Sequence, residues 1–319
     1  MKILAVQNRM GIGDTVIFLP FIKALSKKFN SPISILVKEN TKAEQFLYEA
    51  SYIDKILLLE RDRNNNNHGG FFGTLKLINY IKEFNFDKIF IFNSSLRFYF
   101  VAKLSRIPKI YQYPLLDKAG QHIIDTPKKF LKDKLNIDVN SDPEIEINNL
   151  IVSKTIDKYK IDRNEMNILL GIGGSGPTKR VPSKIFLSFI EKIMKVKKCR
   201  FFLATGKNNE EQEILKEILD SKFKNYCVPL DNLSIKEILP IIKNCNISIC
   251  NDSSFSHLSA ALNVKTITLM VDTPIIYGNY NSKMFPIIPD GETMVSHQTS
   301  GKDKINPQKI YDKVIEILN

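Results

Sequence analysis

Residues 167–182 read Asn-Ile-Leu-Leu-Gly-Ile-Gly-Gly-Ser-Gly-Pro-Thr-Lys-Arg-Val-Pro. The apolar run at 167–171 has the length and composition of a buried strand. The glycines after it expose backbone amides, Ser175 and Thr178 add hydroxyls, and Lys179 and Arg180 add positive charge. Such a set suits a diphosphate. Its spacing departs from GxxxxGK[ST], which disfavours a P-loop nucleotidase. A flexible basic surface loop is the alternative. Lys179 is the strongest side-chain candidate for stabilising a departing diphosphate. Ser175 supports it, with Gly176 and Thr178 in the same loop. Arg180 either shares that work or forms a structural ion pair.

Working outward, short apolar strands alternate with amphipathic helices in both directions. After the loop, helices are expected at 183–194, 210–219, 234–243 and 254–262, with Ser234 as a cap. Strands are expected at 199–204, 226–228, 247–250 and 266–270. Pro307 suits the first turn of a last helix over 310–318. Before the loop, strands are expected at 3–7, 33–37, 56–59 and 88–92. Helices are expected at 14–28, 41–48, 72–83 and 151–160, the first starting late or kinking at Pro20. The polar stretch 61–70 reads as a mobile surface loop. His68 within it is either a solvated histidine or a substrate contact. Residues 108–147 are irregular, and 142–147 form an extended lead-in to a second domain.

This pattern gives an α/β fold of two Rossmann-like domains around a central cleft. The domains are expected at 1–155 and 156–319. The terminal helix is expected to pack back on the first domain.

A second turn, Asn8-Arg9-Met10-Gly11-Ile12-Gly13-Asp14, follows the first strand. Gly11 and Gly13 permit a tight turn and close backbone approach. Ile17 stands where a dinucleotide fingerprint needs its third glycine, so that fingerprint fails. Asp14 is either an N-terminal helix cap stabilising the dipole or a catalytic base that accepts a hydroxyl proton. A third turn, Asn251-Asp252-Ser253-Ser254-Phe255-Ser256-His257, joins a strand to a small-residue helix. Its amides and hydroxyls can surround phosphate or ribose. Asp252 holds the turn or contacts a polar donor group. His257 faces the ligand or turns inward structurally.

Global numbers narrow the field. With 43% hydrophobic residues among 319, the chain is neither disordered nor collagen-like. Its net charge of +12 favours anionic partners without choosing among them. The four cysteines show no CxxC pair, which fits core thiols better than a disulfide or zinc framework. No acidic or histidine cluster has metal-ligand spacing, so metal-independent transfer is expected. No apolar window spans a bilayer, and Met1-Lys2 leads directly into a strand. Cytoplasmic residence follows as an expectation, with peripheral contact to anionic membrane open. Without a zinc finger, recognition helix or basic–aromatic repeat, a nucleic-acid partner is disfavoured.

The three turns together resemble the heptosyltransferases, glycosyltransferase family 9, over roughly residues 1–270. Gly13-Asp14 followed by Pro20 looks like that family's early glycine–aspartate turn. Gly174-Ser175 with Lys179 and Pro182 resembles its donor-phosphate loop. Asn251-Asp252-Ser253 with His257-Leu258 resembles its asparagine–aspartate–threonine–glycine and histidine–leucine segment. Ser254 stands at the usual glycine, where it narrows the turn or demands a shifted backbone. Met270-Val271-Asp272-Thr273-Pro274 replaces the usual glycine–proline–threonine–aspartate–proline.

The resemblance implies a GT-B, metal-independent, inverting glycosyltransferase. Its donor would be a sugar nucleotide, ADP-heptose being the family's usual one, and its acceptor a lipopolysaccharide-core or related glycan. Asp14 would be the general base. Ser175, Lys179 and the amides near Asp252, Ser253 and Ser254 would hold the diphosphate. Glu210 would contact the ribose, and Leu233 would line the base pocket. A GT-B-like sugar-nucleotide epimerase and a noncatalytic sugar-nucleotide binder are the competing readings.

Overall fold

The computed structural model describes residues 1–61, 65–115 and 121–318. The chain divides into two compact units, Met1–Glu146 and Ile147–Asn319.

The first unit runs β1 (Ile3–Val6), α1 (Ile12–Phe29), β2 (Ile33–Lys38), β3 (Ile53–Leu59), α2 (Gly70–Lys82), β4 (Lys88–Ile91), α3 (Leu96–Leu104), β5 (Lys109–Gln112) and α4 (Asp125–Leu135). Its strands form one parallel sheet in the order β3-β2-β1-β4-β5. Side-chain alternation along β4 divides the core between the two faces. Ile89 and Ile91 join Leu77, Ile78 and Ile81 of α2 and Phe98 and Val101 of α3. Phe90 and the following Phe92 turn the other way, to Phe130 of α4, and Phe92 meets Phe18 of α1 at 5.5 Å between ring centroids.

Several sequence expectations are corrected here. Residues 41–48 are not an α-helix. They contain short 3-10 turns at Glu39–Thr41 and Ala43–Gln45, separated by Lys42 at φ 50°. A left-handed residue cannot continue an α ladder, although Ala43, Phe46 and Leu47 still bury. Helix α1 starts at Ile12 and carries Pro20 in its interior, so it does not start late. The irregular stretch holds β5 and α4. Pro127 stands third in α4, within the first turn, where the missing N–H has no intrahelical partner to lose.

His68 is neither solvated nor presented to a ligand. It is buried, accepts the Glu60 amide at Nδ1 (3.1 Å) and stacks on Tyr80. Residues 62–64 of the expected mobile loop, and 116–120 of the expected irregular stretch, lie outside the described residues.

The extended segment before the second unit is tied to the first. Lys23 Nζ meets Glu144 Oε2 at 2.6 Å, and the Ser51 amide donates to Glu146 Oε2 at 2.8 Å. The second unit opens with α5 (Asn149–Tyr159). Asn244 Nδ2 donates to the Val152 carbonyl of this helix at 3.0 Å. The division therefore falls before α5 instead of at 155/156.

The rest of the second unit runs β6 (Met166–Gly171), α6 (Ser183–Met194), β7 (Cys199–Ala204), α7 (Asn209–Leu219), β8 (Cys227–Pro229), α8 (Ile235–Lys243), β9 (Ile247–Asn251), α9 (Ser254–Ala261), β10 (Lys265–Leu269), α10 (Ile276–Asn279), β11 (Met284–Ile287) and α11 (Pro307–Leu318). The sheet is parallel, in the order β11-β10-β9-β6-β7-β8. Ser234 and Glu237 close a capping box on α8, so the expected cap is present. The terminal helix buries its apolar face within the second unit. Ile310, Val314 and Ile317 of α11 join the second unit's core beside Phe186 and Ile190 of α6. That spacing of four and three residues is one helical face. All four cysteines are buried, and burial pushes each thiol up, Cys227 to about 11.

Candidate active site

Strand order locates a ligand crevice in each unit. In an open parallel sheet, the loops diverge where successive connections leave in opposite directions, and ligands bind there at the strand carboxyl ends. In the first unit that point lies between β1 and β4, and in the second between β6 and β9. Each sequence turn stands at one of these points.

In the first unit, Gly11 precedes α1 at φ 97°, a value that a side chain would strain. Asp14 is the third residue of α1 and not its cap. It is half-buried, with Arg9 Nη1 at 3.9 Å from Oδ1. The loops after β1 and β4 are joined by Asn93 Nδ2 donating to Asn8 Oδ1 at 3.2 Å. Gln7 Oε1 accepts the Arg9 amide at 2.8 Å, while its buried Nε2 has no hydrogen-bond partner among the described residues. The crevice thus carries a carboxylate at a helix start among amide and guanidinium groups.

The second unit builds a more connected site. Asn251, at the end of β9, donates from Nδ2 to the carbonyls of Ile172 (2.8 Å) and Gly173 (3.2 Å). This clamps the two diverging loops together. One step further, Lys179 Nζ lies 2.7 Å from Asp252 Oδ2. Asp252 is only 5% exposed, whereas Lys179 keeps 22% of its side chain in solvent. Burial pushes the Asp252 carboxyl up, but Lys179 and neighbouring His257 more than offset it, holding it below the usual range. The pair orients an ammonium across the switch point.

Arg180 points away from that pair. Its Nε donates to the Gly174 carbonyl at 3.0 Å, and its guanidinium pairs with Glu210. Arg180 and Glu210 therefore brace the loop against the start of α7. Ser175 is exposed at the loop tip beside half-buried Gly176. The Thr178 hydroxyl meets Asp272, whose Oδ1 also accepts the Ser300 amide at 2.8 Å. Half-buried Leu233 directly precedes the Ser234 cap of α8.

Ser253 caps α9 without a side-chain bond, leaving its buried hydroxyl without a hydrogen-bond partner among the described residues. Ser254 is the first residue of α9 and is absent from the positive-φ residues. Replacing glycine there costs no backbone strain. The start of α9 offers free amides at the positive end of its dipole.

His257 turns inward. Its ring is buried, lies 2.9 Å from the Tyr280 hydroxyl through Nδ1, and stacks on that ring. Burial is the main cause of its pKa falling to about 4. Asp252 opposes the shift and Lys179 adds to it. The imidazole is therefore neutral near pH 7.

This group makes stability pH-dependent. Unfolded histidine titrates near 6.5, so unfolding takes up a proton between about 4 and 6.5. The contribution is complete above 6.5 and is lost as pH falls toward 4, by roughly 3 kcal/mol at most. Urea unfolding of wild type and H257N from pH 7.5 to 4 should show a smaller loss in the variant. Parallel pH curves would refute this.

Glu211 is a buried organiser that the sequence reading passed over in favour of Glu210. Its Oε1 accepts the Gly174 amide at 2.7 Å, and its own amide donates to Asn208 Oδ1 at 3.0 Å. An added Cβ at Gly173 or Gly206 would collide with this carboxylate, so both glycines are required for the approach. The signal was present: Asn208-x-x-Glu211 is a capping-box spacing. Among the described residues, no group of three or more His, Cys, Asp or Glu side chains is placed to hold a metal ion.

Two doubly wound parallel units of this kind are the architecture found in GT-B glycosyltransferases. More particularly, the model of glycosyltransferase family 9 (heptosyltransferase) matches residues 106–315, and the chain belongs to that family. It is 24% identical over 334 positions to lipopolysaccharide heptosyltransferase 1 of Campylobacter coli, covering 93% of this chain and 91% of the relative. The structure of a family 9 glycosyl transferase from Veillonella parvula DSM 2008 matches at TM-score 0.79 and 19% identity, over 99% and 97% of the two chains. E. coli heptosyltransferase WaaC with ADP matches at TM-score 0.73 and 14% identity, over 100% of both. These structural likenesses carry the fold.

Proposed function

We propose that the protein moves a heptose-type sugar from a nucleoside diphosphate, ADP-heptose in the simplest case, to a lipopolysaccharide-core glycolipid, with inversion. The observation that supports this most is the Lys179–Asp252 pair beside the open start of α9. It combines a fixed cation with helix-terminal amides where a diphosphate gains charge as it leaves. The heptosyltransferase names of the relatives supply the sugar and acceptor class.

In the proposed step, Asp14 accepts the proton of an acceptor hydroxyl. The acceptor oxygen bonds to the anomeric carbon as the bond to the diphosphate breaks. The electron pair leaves with the diphosphate, toward Lys179, Ser175 and the amides of Gly176, Ser253 and Ser254. Thr178 and Arg180 shape that loop through Asp272 and Glu210. Glu210 is also within the proposed ribose contact region, and Leu233 within that of the base. His257 contributes from behind, by packing next to Asp252. No described helix is long and apolar enough to cross a membrane. A glycolipid acceptor and a net charge of +12 support work at the cytoplasmic face of an anionic membrane.

The test is incubation of the donor with and without a delipidated core acceptor. Acceptor-dependent release of nucleoside diphosphate and a product of inverted anomeric configuration are expected. Conversion of the sugar nucleotide without acceptor would establish the epimerase reading instead. Tight donor binding with no turnover would leave a noncatalytic binder.

A further inference from the structure

Helices α2 and α3 lie side by side over one face of the first sheet. Arg97 Nε of α3 donates to Thr74 Oγ1 of α2 at 3.0 Å, and Ser105 Oγ donates to the Ile78 carbonyl at 3.1 Å. Their inner faces are filled by Leu77, Ile78, Ile81, Phe98, Val101 and Ala102. A surface helix normally turns a polar face outward. These two do not. Phe71 is 75% exposed and Phe72 78%, while Leu75, Leu96, Phe100 and Leu104 are also exposed. Six of the fourteen large apolar side chains exposed among the described residues thus fall on two adjacent helices. Such concentration marks an interaction surface, whereas scattered exposed leucines need no explanation.

Charge selects the partner. Residues 70–109 hold seven Lys and Arg against two acidic residues. One of those two, Asp87, already accepts the Lys2 amide at 2.7 Å. Lys76 and Lys82 on α2, Lys103 on α3, and Arg106 and Lys109 just beyond are all exposed. Protein interfaces deplete lysine from their cores. Exposed aromatic rings bordered by lysine and arginine suit an anionic bilayer surface, where rings enter the headgroup boundary and cations meet phosphates.

We infer that the outer face of α2 and α3 docks the first unit on anionic lipid, with Phe71 and Phe72 as the inserted anchors. The inference deepens the membrane side of the proposed function and rests on it. Its test needs no turnover, so the two can fail separately.

The full chain is co-sedimented with phosphatidylcholine vesicles, with and without phosphatidylglycerol. Binding is expected only to the anionic vesicles and is expected to weaken as salt rises. F71S/F72S should lose at least about tenfold in vesicle affinity. F100S should lose part of that. Both rings being exposed, the variants should keep wild-type thermal stability and activity on a delipidated acceptor. The inference is overturned if wild type ignores anionic vesicles or if F71S/F72S binds them undiminished. It is also overturned if sedimentation shows a dimer that the same substitutions abolish, since the patch would then serve a second copy of the chain.

Discussion

Asp14→Asn is expected to lower kcat for sugar transfer by about 10²–10⁴-fold while leaving nucleoside diphosphate affinity within about twofold, as removing a general base does. The substitution keeps the size of the side chain and the start of α1. It removes a negative charge from the third helical position, where charge and dipole together contribute roughly 0.3–1 kcal/mol. The variant should therefore fold and melt close to wild type. A large activity loss beside a small stability loss separates the two readings of Asp14, which a helix-terminal role alone would couple. Nearby Arg9, 3.9 Å away, supplies a control. R9A keeps the carboxylate and should lower kcat far less than D14N does. If D14N transfers sugar at the wild-type rate, Asp14 is a structural carboxylate and the base lies elsewhere.

How much of this was legible in the sequence depends on range. The three turns were readable because each is a glycine- or serine-rich break directly after a short apolar strand. Parallel topology then puts those breaks at strand carboxyl ends. What joins the turns was not readable. Lys179 and Asp252 are 73 residues apart, and no local pattern distinguishes a carboxylate that faces a ligand from one that anchors a lysine. The same limit explains Glu210 and Glu211. Adjacent helical residues point about 100° apart, so one carboxylate braces Arg180 outside while its neighbour goes under the Gly174 amide. His68 was misread because its polar neighbours suggest solvent, while Tyr80 and the Glu60 amide enclose it from elements on either side. Proline misled over 108–147. Prolines break helices in their interiors, but Pro127 stands in the first turn of α4.

Lys179→Ala should produce the second large effect, and it should be double. Loss of the ammonium removes charge stabilisation from the departing diphosphate, with kcat expected to fall about 10²–10³-fold. It also leaves Asp252, 5% exposed, as a buried carboxylate without its cation. Removing one partner of a buried pair commonly costs about 3–5 kcal/mol, and the partial exposure of Lys179 reduces this to roughly 1–3 kcal/mol here. In wild type, the depressed Asp252 pKa means that the pair contributes stability above the ordinary carboxylate range and loses it as pH falls. In K179A, the largest counterweight to burial is gone, so the Asp252 pKa rises and lowering the pH should relieve part of the damage. The double variant K179A/D252N separates the two effects. Asparagine removes the unpaired charge at nearly constant volume, so chemical unfolding should show stability recovered toward wild type. Transfer should stay as slow as in K179A, because the cation is still absent. Recovery of both stability and rate would mean that Lys179 serves only to neutralise Asp252. Recovery of neither would mean that the stability lost in K179A does not come from the unpaired Asp252 charge.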